Sequence, residues 1–185
     1  MNANSTRYSI KIPDGVEILN DNKKGYVLIK GPLTKKLYKT LFQIRLCSNK
    51  KLLYVTNTAF KKLPKKQLKA MKKTTLAMLS KYFLEVSSIS YKKLNLVGVG
   101  YKVFFINDQM LHFKLGFSHN IYYKVPKGLL INSQHSIKLL ISGTDSLLVT
   151  QTAGLLKNLK KPEPYKGKGI LYSDEQIKLK EGKKL

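Results

Sequence analysis

The sequence predicts an α+β protein of two tandem related domains, each a small antiparallel sheet packed with a helix. Residues 11–18 resemble residues 124–131 at an offset of 113, and residues 27–32 resemble residues 139–144 at an offset of 112. The first pair surrounds a Pro-x-Gly turn, and the second is an apolar strand that ends at glycine, as in an antiparallel hairpin. Two matches in nearly the same register indicate duplication, although short strand motifs also resemble one another by chance.

The first helix is predicted over residues 64–86. Pro64 suits the first turn of a helix, and apolar residues then recur at helical spacing with lysines between them. The residues expected to face the core are Leu68, Met71, Thr75, Leu79, Phe83 and Val86. We therefore expect one buried face and one basic face, with the N-terminal domain over residues 1–90 and the C-terminal domain over residues 91–185.

Two strand-like runs, residues 94–105 and 110–117, begin the second domain and are interpreted as a hairpin around residues 107–109. Gly98 and Gly100 lie within the first run, where they predict a bulge or the close approach of a large partner. Alternation in the second run places four residues on one face: Leu111, Phe113, Leu115 and Phe117.

A second helix is predicted from Asp145, or the serine after it, to about Lys160, and Pro162 ends it. Lys157, Lys160 and Lys161 collect at its C-terminus, where the helix dipole favours cations. The residues expected to face inward are Leu148, Ala153, Leu155, Leu156 and Leu159.

The charge of the chain indicates a polyanionic partner. Its 185 residues include 35 basic and 10 acidic side chains, for a net charge of +25, while 43% hydrophobic residues argue against a disordered basic protein. Nucleic acid is the leading candidate because phosphate neutralisation releases condensed counterions, and a membrane surface is the weaker one. The longest uncharged apolar run, residues 96–101, is far shorter than the roughly twenty residues of a membrane-spanning helix.

Lysine dominates this charge, since Arg7 and Arg45 are the only arginines. Lysine is a point charge suited to phosphates, whereas guanine edges are usually read by arginine, so sequence-specific DNA binding is disfavoured. The single cysteine, Cys47, excludes an intramolecular disulfide framework. Residues 1–8 lack the apolar core of a secretory signal, and we expect no cleaved leader.

Residues 162–170, with the sequence Pro-Glu-Pro-Tyr-Lys-Gly-Lys-Gly-Ile, predict a loop that grips phosphates. The prolines fix the approach of the chain, and Gly167 and Gly169 let the backbone lie close to a partner. Lys166 and Lys168 supply ammonium donors, and the tyrosine between proline and lysine offers a ring for stacking on a base. In a neutral protein the same segment would be read as a solvated, flexible Lys/Gly stretch.

Three segments together resemble the large-subunit ribosomal protein six family. They are Leu-Val-Gly-Val-Gly-Tyr-Lys at residues 96–102, Leu-Gly-Phe-Ser-His at residues 115–119, and Lys-Pro-Glu-Pro-Tyr-Lys-Gly-Lys-Gly at residues 161–169. The resemblance implies two related α+β domains docked on large-subunit rRNA, near the sarcin–ricin loop and the translation-factor binding region. It also implies contacts with neighbouring large-subunit ribosomal proteins.

The resemblance places RNA contacts in the second domain. The residues it implies are Lys93, Lys102, Ser118, His119, Lys157, Lys160, Lys161, Tyr165, Lys166, Gly167, Lys168 and Gly169. The chain departs from the family where Asn120 replaces a proline that many relatives carry. Lysines at positions 160 and 161 replace arginines, which weakens an expectation of bidentate contacts there.

No enzyme is expected from these residues. Gly98 and Gly100 are followed by Val103, where a dinucleotide-binding motif needs a third glycine, and no metal-ligand spacing surrounds His112 or His135. We therefore expect no catalytic residue, metal, cofactor or small-molecule substrate. The two histidines are interpreted as structural or solvated, and the adjacent carboxylates of residues 174 and 175 as local charge balance.

The function predicted is that of a structural constituent of the large ribosomal subunit. The alternatives are a basic architectural DNA-binding protein of a nucleoid, for which the same lysine excess would serve, and a phosphate-handling enzyme. The lysine bias and the richness in Asn and Ile indicate an AT-rich genome. A ribosome of the mitochondrial matrix is the expected location, with the bacterial cytoplasm or a plastid as alternatives.

Overall fold

The computed structural model describes residues 8–47, 51–60, 64–107 and 109–182 and confirms the α+β class. The chain divides into two compact units, Met1–Ser88 and Ile89–Leu185. Each unit has one helix and two small antiparallel sheets within the described ranges. In that part of the chain, neither helix combines the length and apolar character that crossing a membrane requires.

Unit 1 contains six strands followed by a helix. The elements are β1 (Ser9–Lys11), β2 (Glu17–Asp21), β3 (Tyr26–Lys30), β4 (Lys35–Lys39), β5 (Phe42–Cys47), β6 (Leu52–Ala59) and α1 (Lys65–Ser87). The sheet orders are β1-β6-β5 and β2-β3-β4, and all neighbours are antiparallel. All six residues predicted to face the core from α1 do so, since four are buried and Leu68 and Met71 are half-buried.

Unit 2 contains seven strands and one helix. The elements are β7 (Ser90–Val97), β8 (Lys102–Asn107), β9 (Met110–Lys114), β10 (Ile121–Lys124), β11 (Leu129–Gln134), β12 (Lys138–Gly143), α2 (Ser146–Leu159) and β13 (Gly169–Tyr172). The sheet orders are β10-β9-β8 and β11-β12-β7-β13. One buried cluster, with members in both sheets and in α2, forms the core of this unit.

The same turn occurs once in each unit, at the segments whose similarity indicated duplication. It joins β1 to β2 and β10 to β11. Gly15 has φ +80° and Gly128 has φ +88°, a conformation that favours glycine. The residue after each glycine donates its N–H to the carbonyl of Pro13 or Pro126, both at 3.4 Å.

The predicted continuous strand over residues 94–105 is wrong. β7 ends at Val97, β8 begins at Lys102, and the two strands belong to different sheets. Gly98 (φ +155°) and Gly100 (φ +75°) form a turn that the Tyr101 N–H closes by donating to the Gly98 carbonyl at 3.3 Å. These glycines therefore redirect the chain between sheets, and the observed hairpin is β8–β9. Asp108, in its predicted turn, lies outside the described residues.

Phe117, which alternation grouped on one face with three residues that are buried, and Leu155, which was predicted to face inward, are both exposed. Phe117 is 40% exposed because β9 ends at Lys114 and Gly116, at φ +70°, turns the chain. Leu155 is 51% exposed because it lies off the buried stripe of α2. That stripe follows i, i+3, i+4, i+7 spacing through Val149, Thr152, Ala153 and Leu156.

The predicted cap of α2 is confirmed. The Asp145 carboxylate accepts hydrogen bonds from the N–H groups of Leu147 at 3.0 Å and Leu148 at 3.4 Å. These bonds satisfy donors that have no partner within the helix. The helix ends at Leu159, so the residues that follow it are free to form the segment leading to β13.

Candidate nucleic-acid interface

Three loops of unit 2 converge on one surface. Residues 98–102 lead from β7 into β8, residues 116–120 lie between β9 and β10, and residues 160–169 lead from α2 into β13. We call these three segments the three-loop surface. It unites most of the residues that the sequence singled out, although they are widely separated along the chain.

Backbone pairing and one aromatic ring hold the loops together. Gly169 pairs with Val97 in the β13–β7 ladder, which sets the end of the third loop beside the start of the first. The Tyr101 ring lies against Gly116, where an added Cβ would be 3.3 Å from the ring edge. The first loop is therefore in contact with both of the others.

A stack of side chains joins the second loop to the third. The Lys160 ammonium lies 4.2 Å from the centre of the Phe117 ring, a distance typical of a cation–π contact. Phe117 in turn stacks on His119, with ring centres 5.5 Å apart and 28° between planes. The contact between Lys160 and Phe117 places the exposed Ser118 and His119 beside the C-terminus of α2.

Residues 160–169 form a compact loop with its own backbone hydrogen bonds. Three bonds of 2.9 Å close it: Glu163 N–H to Lys168 O, Gly167 N–H to Glu163 O, and Ile170 N–H to Lys160 O. A fourth, also 2.9 Å, joins Lys180 N–H to Pro164 O and attaches the C-terminal segment. At the tip Tyr165 is 54% exposed and Lys166 is also exposed.

The two glycines of this loop have roles within the fold. Gly169 is buried at φ +152°, and an added Cβ would lie 2.6 Å from the Pro162 Cα and 2.8 Å from its nitrogen. Gly167 has φ +69°, a conformation that other residues rarely adopt. Both glycines were expected to admit a partner, whereas the structure shows them shaping the loop itself.

The charge on the three-loop surface is strongly positive. It carries five lysines and one glutamate, Glu163. The lysines are Lys102, Lys160, Lys161, Lys166 and Lys168. Such an excess of cations on closely spaced loops attracts a polyanion and costs stability through mutual repulsion in its absence.

Lys157 differs from the other predicted lysines because its ammonium is engaged within the fold. It bonds both carboxylate oxygens of Glu175, at 2.6 and 2.7 Å, and lies 4.9 Å from the centre of the Tyr172 ring. The hydrogen bond from Lys157 holds the pKa of the Glu175 carboxyl below its ordinary value. This ion pair agrees with the interpretation of the 174–175 carboxylates as local charge balance.

Lys93 is not brought into the three-loop surface. It lies in β7, four residues before Val97, which corresponds to about 13 Å along the strand. Its neighbour Leu94 is buried against the α2 side of the sheet, so Lys93 lies on the opposite face, 5.8 Å from the centre of the Tyr91 ring. Any contact it makes with a partner belongs to a different face.

The sequence analysis missed three residues of this site. Tyr101 and Phe117 link the loops, and Lys114 pairs directly with Lys102 across β8 and β9. The sequence did offer one indication of these two aromatic residues, since Tyr101 follows Gly100 and Phe117 follows Gly116 in segments that resemble the family. Among the described residues, no group of His, Cys, Asp or Glu side chains could hold a metal ion.

Comparison with known proteins identifies the family. A family model described as ribosomal protein L6 matches residues 97–173. The chain is 36% identical over 176 residues to the large ribosomal subunit protein uL6 of Pseudomonas paraeruginosa, covering 95% of each chain. The chain belongs to the ribosomal protein L6 family.

Other relatives agree with membership of the L6 family. The uL6 protein of Mycoplasma capricolum is 36% identical over 176 residues, covering 94% of this chain and 93% of the relative. The uL6 protein of Ectopseudomonas mendocina is 44% identical over 118 residues, covering 64% of this chain and 66% of the relative. The segment matched by the L6 model contains all three loops of the three-loop surface. These comparisons give no support to the nucleoid alternative.

Proposed function

We propose that this L6-family chain is a structural constituent of the large ribosomal subunit and that its three-loop surface binds large-subunit rRNA. The relatives are named as large ribosomal subunit proteins, which supports the coarser assignment to that subunit. The assignment of rRNA binding to the three-loop surface rests on the convergence of three loops into a single cationic surface. The RNA region proposed is the one near the sarcin–ricin loop and the translation-factor binding region.

The chemistry of the surface fits folded RNA. Lysine ammonium groups neutralise phosphates, which positions a protein on RNA without reading its sequence. The exposed ring of Tyr165 and the stacked pair of Phe117 and His119 offer faces for unstacked bases. Backbone bonds within residues 160–169 fix the loop that carries Tyr165 before binding, which lowers the entropic cost of association.

The remaining assignments follow from membership in the subunit. Neighbouring ribosomal proteins are the other partners proposed, and Lys93 and Lys157 are retained as weaker candidates for RNA contact. The relatives described above are bacterial. A mitochondrial ribosome remains our proposal from the lysine bias, with a bacterial or plastid ribosome as the alternative.

A double substitution in the third loop tests the proposal. Lys166→Ala with Lys168→Ala removes two charges but keeps every backbone bond of the loop. We expect the slope of log affinity for large-subunit rRNA against log salt to fall by about 1.4 to 1.8, since each phosphate contact contributes about 0.7 to 0.9. Incorporation of the tagged chain into large subunits should fall with it.

A matched control removes the same charge from unit 1. Lys23 and Lys24 are exposed, and their backbone N–H groups bond to Asp21 through atoms that alanine retains. Lys23→Ala with Lys24→Ala should leave the salt slope and incorporation close to those of the unsubstituted chain. Equal slopes and equal incorporation for the two double variants would contradict a role for the three-loop surface.

A further inference from the structure

One aromatic ring from each strand of the β10-β9-β8 sheet forms a row across its outer face. His112 of β9 pairs with Phe104 of β8 on one side and with Tyr122 of β10 on the other. The Phe104 and His112 rings stack with centres 5.9 Å apart and 23° between planes, and the His112 and Tyr122 rings with 5.2 Å and 27°. We call these three residues the aromatic row.

The aromatic row faces away from the core. The residues that alternate with it, Val103, Leu111 and Phe113, are buried in the core cluster of unit 2. By contrast, Phe104 is 44% exposed and Tyr122 is 56% exposed. The Nε2 atom of His112 is buried and has no hydrogen-bond partner in the described structure, so ring contacts hold the imidazole in place.

The charge around the row is uniformly positive. Lys102 and Lys114 lie directly opposite each other on one side of it, and Lys124 pairs with Met110 on the other. Like charges directly opposite in a sheet are destabilising, and the strands β8, β9 and β10 contain no Asp or Glu to offset them. A bound polyanion would neutralise this face.

Another three-stranded sheet, β2-β3-β4 of unit 1, is built differently on its exposed face. There the cross-strand row of the β2-β3-β4 sheet is aliphatic, consisting of Leu19, Leu28 and Leu37. Carboxylates lie on either side of that row, since Glu17 pairs with Lys30 and Asp21 pairs with Tyr26. Rings surrounded only by lysines are therefore not a general property of the three-stranded sheets in this chain.

We propose that the aromatic row is a second RNA-binding site, at which unpaired bases of RNA stack on Phe104 and Tyr122. Aromatic residues on an antiparallel sheet are a recurrent platform for single-stranded RNA, and flanking lysines hold the backbone. Lys102 belongs both to the three-loop surface and to the cationic border of the row, so one RNA strand can pass from one to the other. This inference rests on the proposed function, because it extends the RNA contact of the same unit.

The test compares RNA with and without bases. The probes are an oligouridylate of about ten nucleotides and an abasic ribose-phosphate oligomer of the same length. The variant is Phe104→Leu with Tyr122→Leu in the full chain, which keeps apolar side chains on the sheet but removes the rings. We expect its affinity for the oligouridylate to fall about tenfold or more with an unchanged salt slope, and its affinity for the abasic oligomer to stay the same.

Two controls separate this inference from the proposed function. Tyr26→Leu makes the same substitution on the unit 1 sheet, beside Asp21, and should leave both affinities unchanged. Lys166→Ala with Lys168→Ala should lower the salt slope for both oligomers, because it removes charge and no ring of the aromatic row. An unchanged salt slope for Lys166→Ala with Lys168→Ala would refute the proposed function. An unchanged oligouridylate affinity for Phe104→Leu with Tyr122→Leu, with the expected fall in slope for the lysine variant, would refute this inference alone.

Crosslinking in the assembled particle gives an independent result. With 4-thiouridine incorporated into RNA, the proposal expects crosslinks at Phe104 or Tyr122 within large subunits. If 4-thiouridine crosslinks to residues of the 160–169 loop but to neither Phe104 nor Tyr122, the row does not contact RNA in the particle and the inference fails. Hydrogen exchange of the β9 strand in the ring variant should match the unsubstituted chain, which excludes unfolding as the cause of weaker binding.

Discussion

Gly169→Ala is the substitution whose effect is best defined by the structure. Gly169 is the first residue of β13, where it pairs with Val97 of β7 and its missing side chain makes room for Pro162. A Cβ there would lie 2.6 Å from the Pro162 Cα and 2.9 Å from the Lys161 carbonyl carbon. Both atoms belong to the backbone, so neither can rotate away.

The expected loss of stability combines two costs in the folded state with one gain from the unfolded chain. A left-handed conformation costs a residue with a Cβ about 1–2 kcal/mol, and overpacking against backbone costs about 1–3 kcal/mol. Reduced freedom of the unfolded chain returns about 0.4–1 kcal/mol. We therefore expect Gly169→Ala to lower the free energy of unfolding of unit 2 by about 1–4.6 kcal/mol and to displace the 160–169 loop.

The assay must report on unit 2 separately, because the chain has two units. Hydrogen exchange of the β7, β12 and β13 amides, followed by mass spectrometry under native conditions, gives the free energy of opening of that unit. Gly100→Ala is the matched control, since Gly100 has φ +75° but open space where a Cβ would lie. It should cost about 1 kcal/mol or less. Equal losses for the two variants would refute the assignment of Gly169 to close packing against Pro162.

Three further predictions concern an ion pair, the buried face of α2 and a hydroxyl group on the three-loop surface. Lys157→Met should lower the free energy of unfolding by about 1 kcal/mol at neutral pH, since both partners of its ion pair are less than a third exposed. Because the pKa of the Glu175 carboxyl is lowered in the folded state, the ion pair stabilises the fold above the pKa of the unfolded chain, and this stabilisation is lost as the pH falls through the folded pKa. The urea unfolding curves of Lys157→Met and of the unsubstituted chain should therefore converge in acid. Leu156→Ala should cost about 2–5 kcal/mol and Leu155→Ala less than about 0.5 kcal/mol, and a reversed order in urea unfolding would contradict the observed face of α2. Ser118→Ala should leave stability unchanged and weaken rRNA binding less than tenfold in a filter-binding assay, because a neutral hydroxyl contributes about 0.5–1.5 kcal/mol per hydrogen bond.

Local sequence patterns predicted the elements that depend on periodicity and capping. The first helix was expected over residues 64–86 and spans Lys65–Ser87, and Asp145 caps α2 as its residue type implies. The repeated Pro-x-Gly turn could be read because proline and a glycine at positive φ leave few alternatives. The error at residues 94–105 arose because β-type residues surround Gly98 and Gly100, so strand propensity concealed the turn.

The three-loop surface could be predicted only in part, because its contacts are tertiary. The sequence singled out the 162–170 segment through its own residues and the Ser118–His119 pair through resemblance to a family, but nothing local indicated that Lys160 would lie on the Phe117 ring. The apolar alternation grouped Phe117 with Leu111, Phe113 and Leu115, and it gave no indication of the aromatic row. Its rings become neighbours only through the register of β8, β9 and β10.

The division of roles within the 160–169 loop explains how lysine can suffice at positions 160 and 161, where the resemblance implied arginine. Its shape is set by the backbone, through four hydrogen bonds of 2.9 Å and the close packing of Gly169 on Pro162. The lysine side chains therefore need to supply only charge, and a point charge neutralises a phosphate without bidentate geometry. On this reasoning the glycines are the positions that tolerate least change, and the cations can vary in type as long as their number on the surface is kept.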